Sequence, residues 1–249
     1  WASASTRLQV FRSGTLLATS AGTYPANVYN FIEFKVTINS VTGSYEVRVN
    51  GAVDANLSAS GVNTRGVGTN NSTNMLRVGG VAGANTLGAY IDDLYICDLS
   101  GAANNDYLGD VRVQALLPNA AGAHSQWTPS GGAVANYTMV DEATPNDDTD
   151  YNSDATVGDI DTYAFSDLTP TTGTVKAVQT VIDARKDDAG TRTIAPVVRE
   201  GGVDYVGPNH NVGTTYAFQM DIYETDPATA AAWTVAAVNG DEFGVKVIA

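Results

Sequence analysis

The residues of this chain best suited to chemistry are carboxylates. From Val113 to Val175 there is no Lys or Arg, while Asp141, Glu142, Asp147, Asp148, Asp150, Asp154, Asp159, Asp161 and Asp167 accumulate. Within that stretch Asp148-x-Asp150-x-Asn152 places hard oxygen ligands at alternate positions, as a calcium loop does, and Asp159 stands at the twelfth position. A tight loop with this spacing turns alternate side chains onto one cation. Two features depart from that pattern. Ser153 occupies the sixth position, where the turn wants Gly, and Asp159 replaces the usual bidentate Glu. Three readings therefore stand side by side: calcium held by Asp148, Asp150, Asn152 and Asp159, a surface that meets a basic patch on a neighbouring subunit, or a loop that meets only water.

Other chemistries find less support. Nucleophilic triads need a histidine, and only His124 and His210 exist. Both sit among Gly, Asn and Pro, which reads as exposed loop positions without a role, and no Gly-x-Ser-x-Gly elbow accompanies them. A P-loop and a strand–Gly-x-Gly-x-x-Gly–helix unit are also missing from the sequence, so nucleotide binding has no basis. Cys97 is the single cysteine; it excludes an internal disulfide and every multi-cysteine metal site, and its type predicts a buried apolar thiol. No catalytic residues are assigned, and calcium is the one cofactor the residues raise. Sugar binding would use exposed aromatics with Asn and Asp neighbours; Tyr24, Tyr29, Trp127 and Tyr137 lie near loops that suit this.

These residues must be positioned by a chain of 249 residues with a formal charge of −14. In residues 1–99 six basic and six acidic side chains cancel, so the whole excess falls on residues 100–249. The length and the charge step predict two domains, 1–100 and 101–249. The acidity argues against nucleic acid or an anionic membrane surface as the main partner. No run approaches the ~18 apolar residues of a membrane-spanning helix. Apolar content of 43% with 25 Gly and 16% charged residues fits short strands and turns. The chain opens at Trp1 without Met or a signal peptide, which reads as a processed protein or a piece of something longer.

Hydrophobic period is two. Phe34, Val36 and Ile38 alternate with polar neighbours, a turn at Val41-Thr42-Gly43 follows, and Tyr45 to Val49 alternates again. Asn50-Gly51 tolerates positive φ at both turn positions, so Val53 to Leu57 is expected as the returning strand. Further strands are expected at Met75–Val78, Ala89–Cys97 and Asp110–Leu116. Val175–Arg185 and Arg192–Arg199 read as a long hairpin, with Pro196 demanding an edge or a bulge. Val203–Val206, Tyr216–Tyr223 and a final strand through Phe243, Val245 and Val247 complete the set. Asp226-Pro227 predicts a helix start, with the helix running through Trp233 to Val238.

The segments Glu33–Thr37, Gly43–Gly51 and Tyr90–Ile96 resemble the later strands of a concanavalin A-like or laminin G-like jelly roll. Such jelly rolls ordinarily exceed a hundred residues, so the resemblance implies that early strands lie upstream of Trp1. Glycoside hydrolases of that superfamily carry Glu-x-Asp-x-x-Glu, a paired-carboxylate arrangement. It does not occur here; the nearest, Glu224-Thr225-Asp226, has Thr229 in place of the second Glu. Residues 101–249 resemble a domain that follows concanavalin A-like domains in virion proteins of tailed bacteriophages, on Asn104–Val113, Leu116–Asn119, Gln126–Pro129, Ala184–Asp187 and Ala232–Thr234 through Phe243–Val247. Together the two resemblances imply an all-β chain: a concanavalin A-like jelly roll, incomplete at its N-terminus, then an acidic β-sandwich with one short helix near the C-terminus. They further imply a non-enzymatic structural protein of the extracellular virion, touching other virion proteins and copies of itself, with a host-surface glycan as the partner of the alternative adhesion reading.

Overall fold

A computed structural model describes residues 7–25, 28–76 and 90–249. The chain is all-β, with several antiparallel sheets and, among the described residues, one α-helix near the C-terminus. It divides into two compact units, Trp1–Val113 and Gln114–Ala249. The charge step near residue 100 precedes this division because residues 101–113 return to the first unit. Asp106 pairs with Lys35 at 2.9 Å, Gly109 N donates to Glu33, and Arg112 reaches Asp93.

In the first unit β1 (Gln9–Arg12) and β2 (Thr15–Thr19) form a hairpin, and β3 (Ile32–Thr37), β4 (Gly43–Val49), β5 (Ala52–Val53) and β6 (Ala59–Val62) form a second sheet. Asn50 and Gly51 turn β4 into β5 with φ of 52° and 81°, the two positive values the dipeptide predicts. The expected return strand is shorter than Val53–Leu57. After β5 the chain winds one 3-10 turn, Ala55–Leu57, which drops Leu57 onto Val47 and Val49, and β6 then resumes the pairing with β4.

Strand β4 alternates fully, with Tyr45, Val47 and Val49 buried. Strand β3 reverses the expected burial. Phe34 and Val36 share a face with their cross-strand partners Val47 and Tyr45, yet stay 54% and 41% exposed, because β3 lies at the edge of the sheet. It is Glu33, on the other face, that is buried: Tyr95 Oη and Gly109 N donate to its carboxylate.

Residues 90–97 form no strand. Asp93 takes a φ of 53° and its carboxylate accepts from Val113 N and Arg112, a turn that breaks extension. The same contacts hold 110–113 out of the strand predicted there. Residues 75–76 likewise lie in no strand, and the rest of the Met75–Val78 prediction lies outside the described residues, as does residue 89. Cys97 is exposed, not buried.

The second unit carries β7 (Pro118–Ser125), β8 (Thr128–Pro129), β9 (Asn152–Ser153), β10 (Ile160–Phe165), β11 (Val178–Ala184), β12 (Thr193–Glu200), β13 (Val203–Val206), β14 (His210–Asn211), β15 (Ala217–Tyr223), α1 (Val235–Gly240) and β16 (Glu242–Val247). Its main sheet runs β13-β12-β16-β10-β7, with β14 also on β12. The predicted hairpin of β11 with β12 is replaced by β11–β15 and β12–β16 pairs. The reason is burial: β12 is buried on both faces from Thr193 to Val198, as an inner strand requires, whereas β11 exposes alternate residues. Pro196 therefore sits on an inner strand. Its missing N–H falls at the break between the β13 and β14 pairings, where its carbonyl accepts from Gly207 N at 2.8 Å.

The ribbon β11–β15 and α1 cover one face of this sheet. Val198, Trp233, Val238 and Phe243 form one apolar cluster beneath them, and Ile194, Val212 and Val245 another. Burying a side chain of this size contributes roughly 1.5–3 kcal/mol. The helix begins later than predicted. Asp226 caps only a turn, through Ala228 N and Thr229 Oγ1, which Ala230 ends at φ 55°; Thr234 is the cap of α1, accepting from Ala237 N at 3.0 Å.

Two glycines grip β10 from both sides. A Cβ at Gly244 would lie 1.8 Å from Asp161 O, and one at Gly122 would lie 2.4 Å from Thr162 O. Neither neighbour accommodates any side chain.

Candidate functional site

The acidic stretch is organised around Asp161, which is fully buried on β10. Its Oδ1 accepts from Gln126 N at 2.7 Å and Trp127 N at 3.0 Å, where the chain leaves β7. Its Oδ2 accepts from Asn136 Nδ2 at 2.6 Å and from Tyr163 Oη at 3.0 Å. Four donors offset the desolvation of the carboxyl group. Burial, then the Asp161 charge, pushes the Tyr163 phenol far above its ordinary value.

The four residues of the predicted calcium loop are not brought together on one cation. Asn152 spends its amide on Asn136 O and Tyr163 Oη, in the Asp161 network. Asp148 accepts from Arg185 at 2.7 Å and Tyr216 Oη at 2.9 Å, and these donors, Arg185 first, hold its carboxyl below the usual range. Asp159 serves through its main chain, its carbonyl accepting from Val247 N. Asp150 Oδ1 and Asn152 Oδ1 are buried without hydrogen-bond partners. Among the described residues no three His, Cys, Asp or Glu side chains are placed to hold a metal. A basic partner for part of the acidic stretch is thus supplied within the chain, by Arg185.

Both histidines lie in strands, not loops, and both meet an aspartate. His210 on β14 contacts Asp221 on β15 at 2.6 Å. His124 on β7 contacts Asp204 on β13 at 3.0 Å. Since β7 and β13 are opposite ends of the main sheet, this contact requires the sheet to curl. The row between them is polar throughout: Arg199 donates to Asp204, Thr162 Oγ1 donates to Glu242 at 2.6 Å, and Ala123 N donates to the same carboxylate at 2.8 Å. Arg199 and His124 hold the Asp204 carboxyl below its ordinary value even though burial acts the other way. A His–Asp pair beside a threonine hydroxyl has the members of a nucleophilic constellation. Here the hydroxyl is committed to Glu242 and Thr162 is 1% exposed, so this hydroxyl is closed to solvent. The row ties the curled sheet together.

In the sequence Asp161 stands out only as one member of the acidic run, and nothing there marks Arg199, Asp204 or Glu242. The legible signal for Asp161 was a carboxylate between Ile160 and Tyr163 in a strand otherwise fit for the core. For the others no local signal exists, because β7, β12, β13 and β16 converge from distant parts of the chain.

The candidate sugar-binding aromatics divide between the units. In the first, Tyr29 is 77% exposed and Tyr24 donates to Asp54 at 2.9 Å at the rim of a depression of about 400 Å³, with Asn50 and Asn56 also lining it. In the second, Trp127 packs against the Ile194 cluster and Tyr137 lies half-buried in the 3-10 turn Asn136–Met139.

One exposed apolar surface of the second unit is the outer face of the β11–β15 ribbon. Val181, Phe218, Met220 and Ile222 share it and are 54%, 56%, 58% and 65% exposed. The two strands pair only with each other, so each presents an outer backbone edge. Compared with protein-family models, with curated proteins and with solved structures, the chain matches none.

Proposed function

We propose that this chain is a non-enzymatic structural component of a tailed-phage virion, a decoration of capsid, tail or collar that acts through contacts with copies of itself and with other virion proteins. The observation that carries the reading is the ribbon face of Val181, Phe218, Met220 and Ile222. Four apolar side chains more than half exposed on one sheet face mark an association surface rather than scattered surface residues. The open strand edges beside them add unmet main-chain donors and acceptors, which a second strand satisfies. The virion itself enters through the sequence resemblance alone. Sedimentation velocity over about a hundredfold concentration range tests the surface. Self-association that Phe218→Asp abolishes supports it, and a monomer at every concentration refutes self-association through this face. Mass spectrometry of purified particles tests the location.

A second reading rests on the depression lined by Tyr24, Asn50, Asp54 and Asn56, whose aromatic and amide lining suits a glycan. In that case the chain is an adhesion module. Saturable binding on a glycan array, lost in Tyr24→Ala, separates it from the structural reading.

A further inference from the structure

Three carboxyl groups meet at one corner of the second unit. Glu200 ends β12, Asp226 caps the turn before α1, and Asp241 follows α1 as its C-cap. Asp226 and Asp241 are 4% and 6% exposed. The Glu200 and Asp226 carboxyls lie within reach of one another, and a hydrogen bond between them forms only when one holds a proton, because an ionised carboxylate has no donor. Asp226 already accepts from Ala228 N and Thr229 Oγ1, which suits it to the acceptor side of that bond. Glu200 Oε2 and Asp241 Oδ2 are buried without any hydrogen-bond partner, an arrangement a protonated oxygen tolerates far better than a charged one.

The charges that act on Asp241 are those of Glu200 and Asp226. Residues 227–240 carry no ionisable side chain. Arg199 and Glu242, the neighbours of Glu200 and Asp241 along β12 and β16, point to the opposite face, where both belong to the Asp204 row. Glu224 is exposed. Burial first, and the two acidic neighbours second, push the Asp241 carboxyl up to about 7.

We propose that Glu200, Asp226 and Asp241 form a proton-held latch, which fastens the corner 226–241 to the end of β12 and releases it when the protons leave to water. Closed, the latch covers Trp233 and Val238, which are 3% and 4% exposed in the apolar cluster directly behind it. Loss of the protons sets two or three like charges against one another where Glu200 Oε2 and Asp241 Oδ2 have no donor, and the turn and the short helix are the elements free to move away.

Hydrogen exchange read by mass spectrometry on the full chain tests this, with rates corrected for the intrinsic effect of pH. Protection of peptides covering 226–241 is expected to fall about tenfold or more between pH 5.5 and pH 8.5. In Asp241→Asn, which removes the charge and keeps the shape, protection stays high at both values; Glu200→Gln flattens the profile in the same direction and serves if the first variant does not fold. Equal corrected protection at the two pH values in the unaltered chain overturns the proposal, as does an Asp241→Asn profile that still falls. High protection at pH 8.5 that collapses only when a chelator is added makes the occupant a divalent cation and overturns it too.

Discussion

Two aspartates of the second unit are buried to nearly the same degree and are treated oppositely by their surroundings. Asp161 is fully buried and receives four donors, two from the main chain and two from side chains. Asp241 is 6% exposed, keeps an oxygen without a partner, and faces two further acids. Burial alone does not decide what a carboxyl group does. The number of donors aimed at it does, and that number is set by where loops leave the strands: the chain turning out of β7 presents two N–H groups to Asp161, whereas the helix end before Asp241 presents carbonyls.

That contrast gives a graded series of substitutions. The largest effect is expected at Asp161. Asp161→Asn aims an amide N–H₂ at donors, and urea unfolding of the chain should show a loss of about 3–5 kcal/mol, the penalty of a broken buried network. A loss below 1 kcal/mol would break the comparison. Asp241→Asn is expected to do the reverse. A carboxyl whose folded pKa is raised to about 7 from an ordinary 3.8 favours folding while protonated. Its contribution is complete below the ordinary value and is lost as pH rises through about 7. The variant should therefore be more stable than the parent by about 1–3 kcal/mol at pH 8 and equal to it near pH 4. A difference of the same size at both values would show that shape, not charge, is at work.

Glu33 in the first unit lies between these extremes, buried with two donors, Tyr95 Oη and Gly109 N. Burial and Glu33 itself raise the Tyr95 phenol to about 12. Glu33→Gln should cost about 1–2 kcal/mol in the same measurement, and spectrophotometric titration should show Tyr95 ionising at lower pH. The smallest effect belongs to the exposed pair Lys35–Asp106, whose side chains are 41% and 63% exposed. A double-mutant cycle there should return under 1 kcal/mol and shrink further in salt.

The fold was legible where local chemistry governs it. Asn50-Gly51 announces its turn, and the alternation of Tyr45 to Val49 and of Phe243 to Val247 announces strands whose buried faces are the ones observed. It was illegible where a distant partner decides. Strand β12 pairs with β16, more than forty residues on, because both of its faces are covered, and nothing near Thr193 says so. Phe34 and Val36 have the right period but lie at an edge, and period carries no information about which strand ends a sheet. The site suffered most. Spacing proposed Asp148, Asp150, Asn152 and Asp159 as one ligand set, yet Arg185 claims the first and the Asp161 network claims the third. The two histidines read as idle because their aspartates, Asp204 and Asp221, are supplied by other strands.

The glycines on either side of β10 carry an evolutionary consequence. At position 244 any side chain would collide with Asp161 O, and at position 122 with Thr162 O. Descendants of a common ancestor can exchange nearly every apolar residue of this core and keep the sheet, but they cannot place a side chain at either position without parting β10 from a neighbour. Glycine at both positions is therefore a condition of this strand order, set by the main chain of β10 rather than by the side chains of the core.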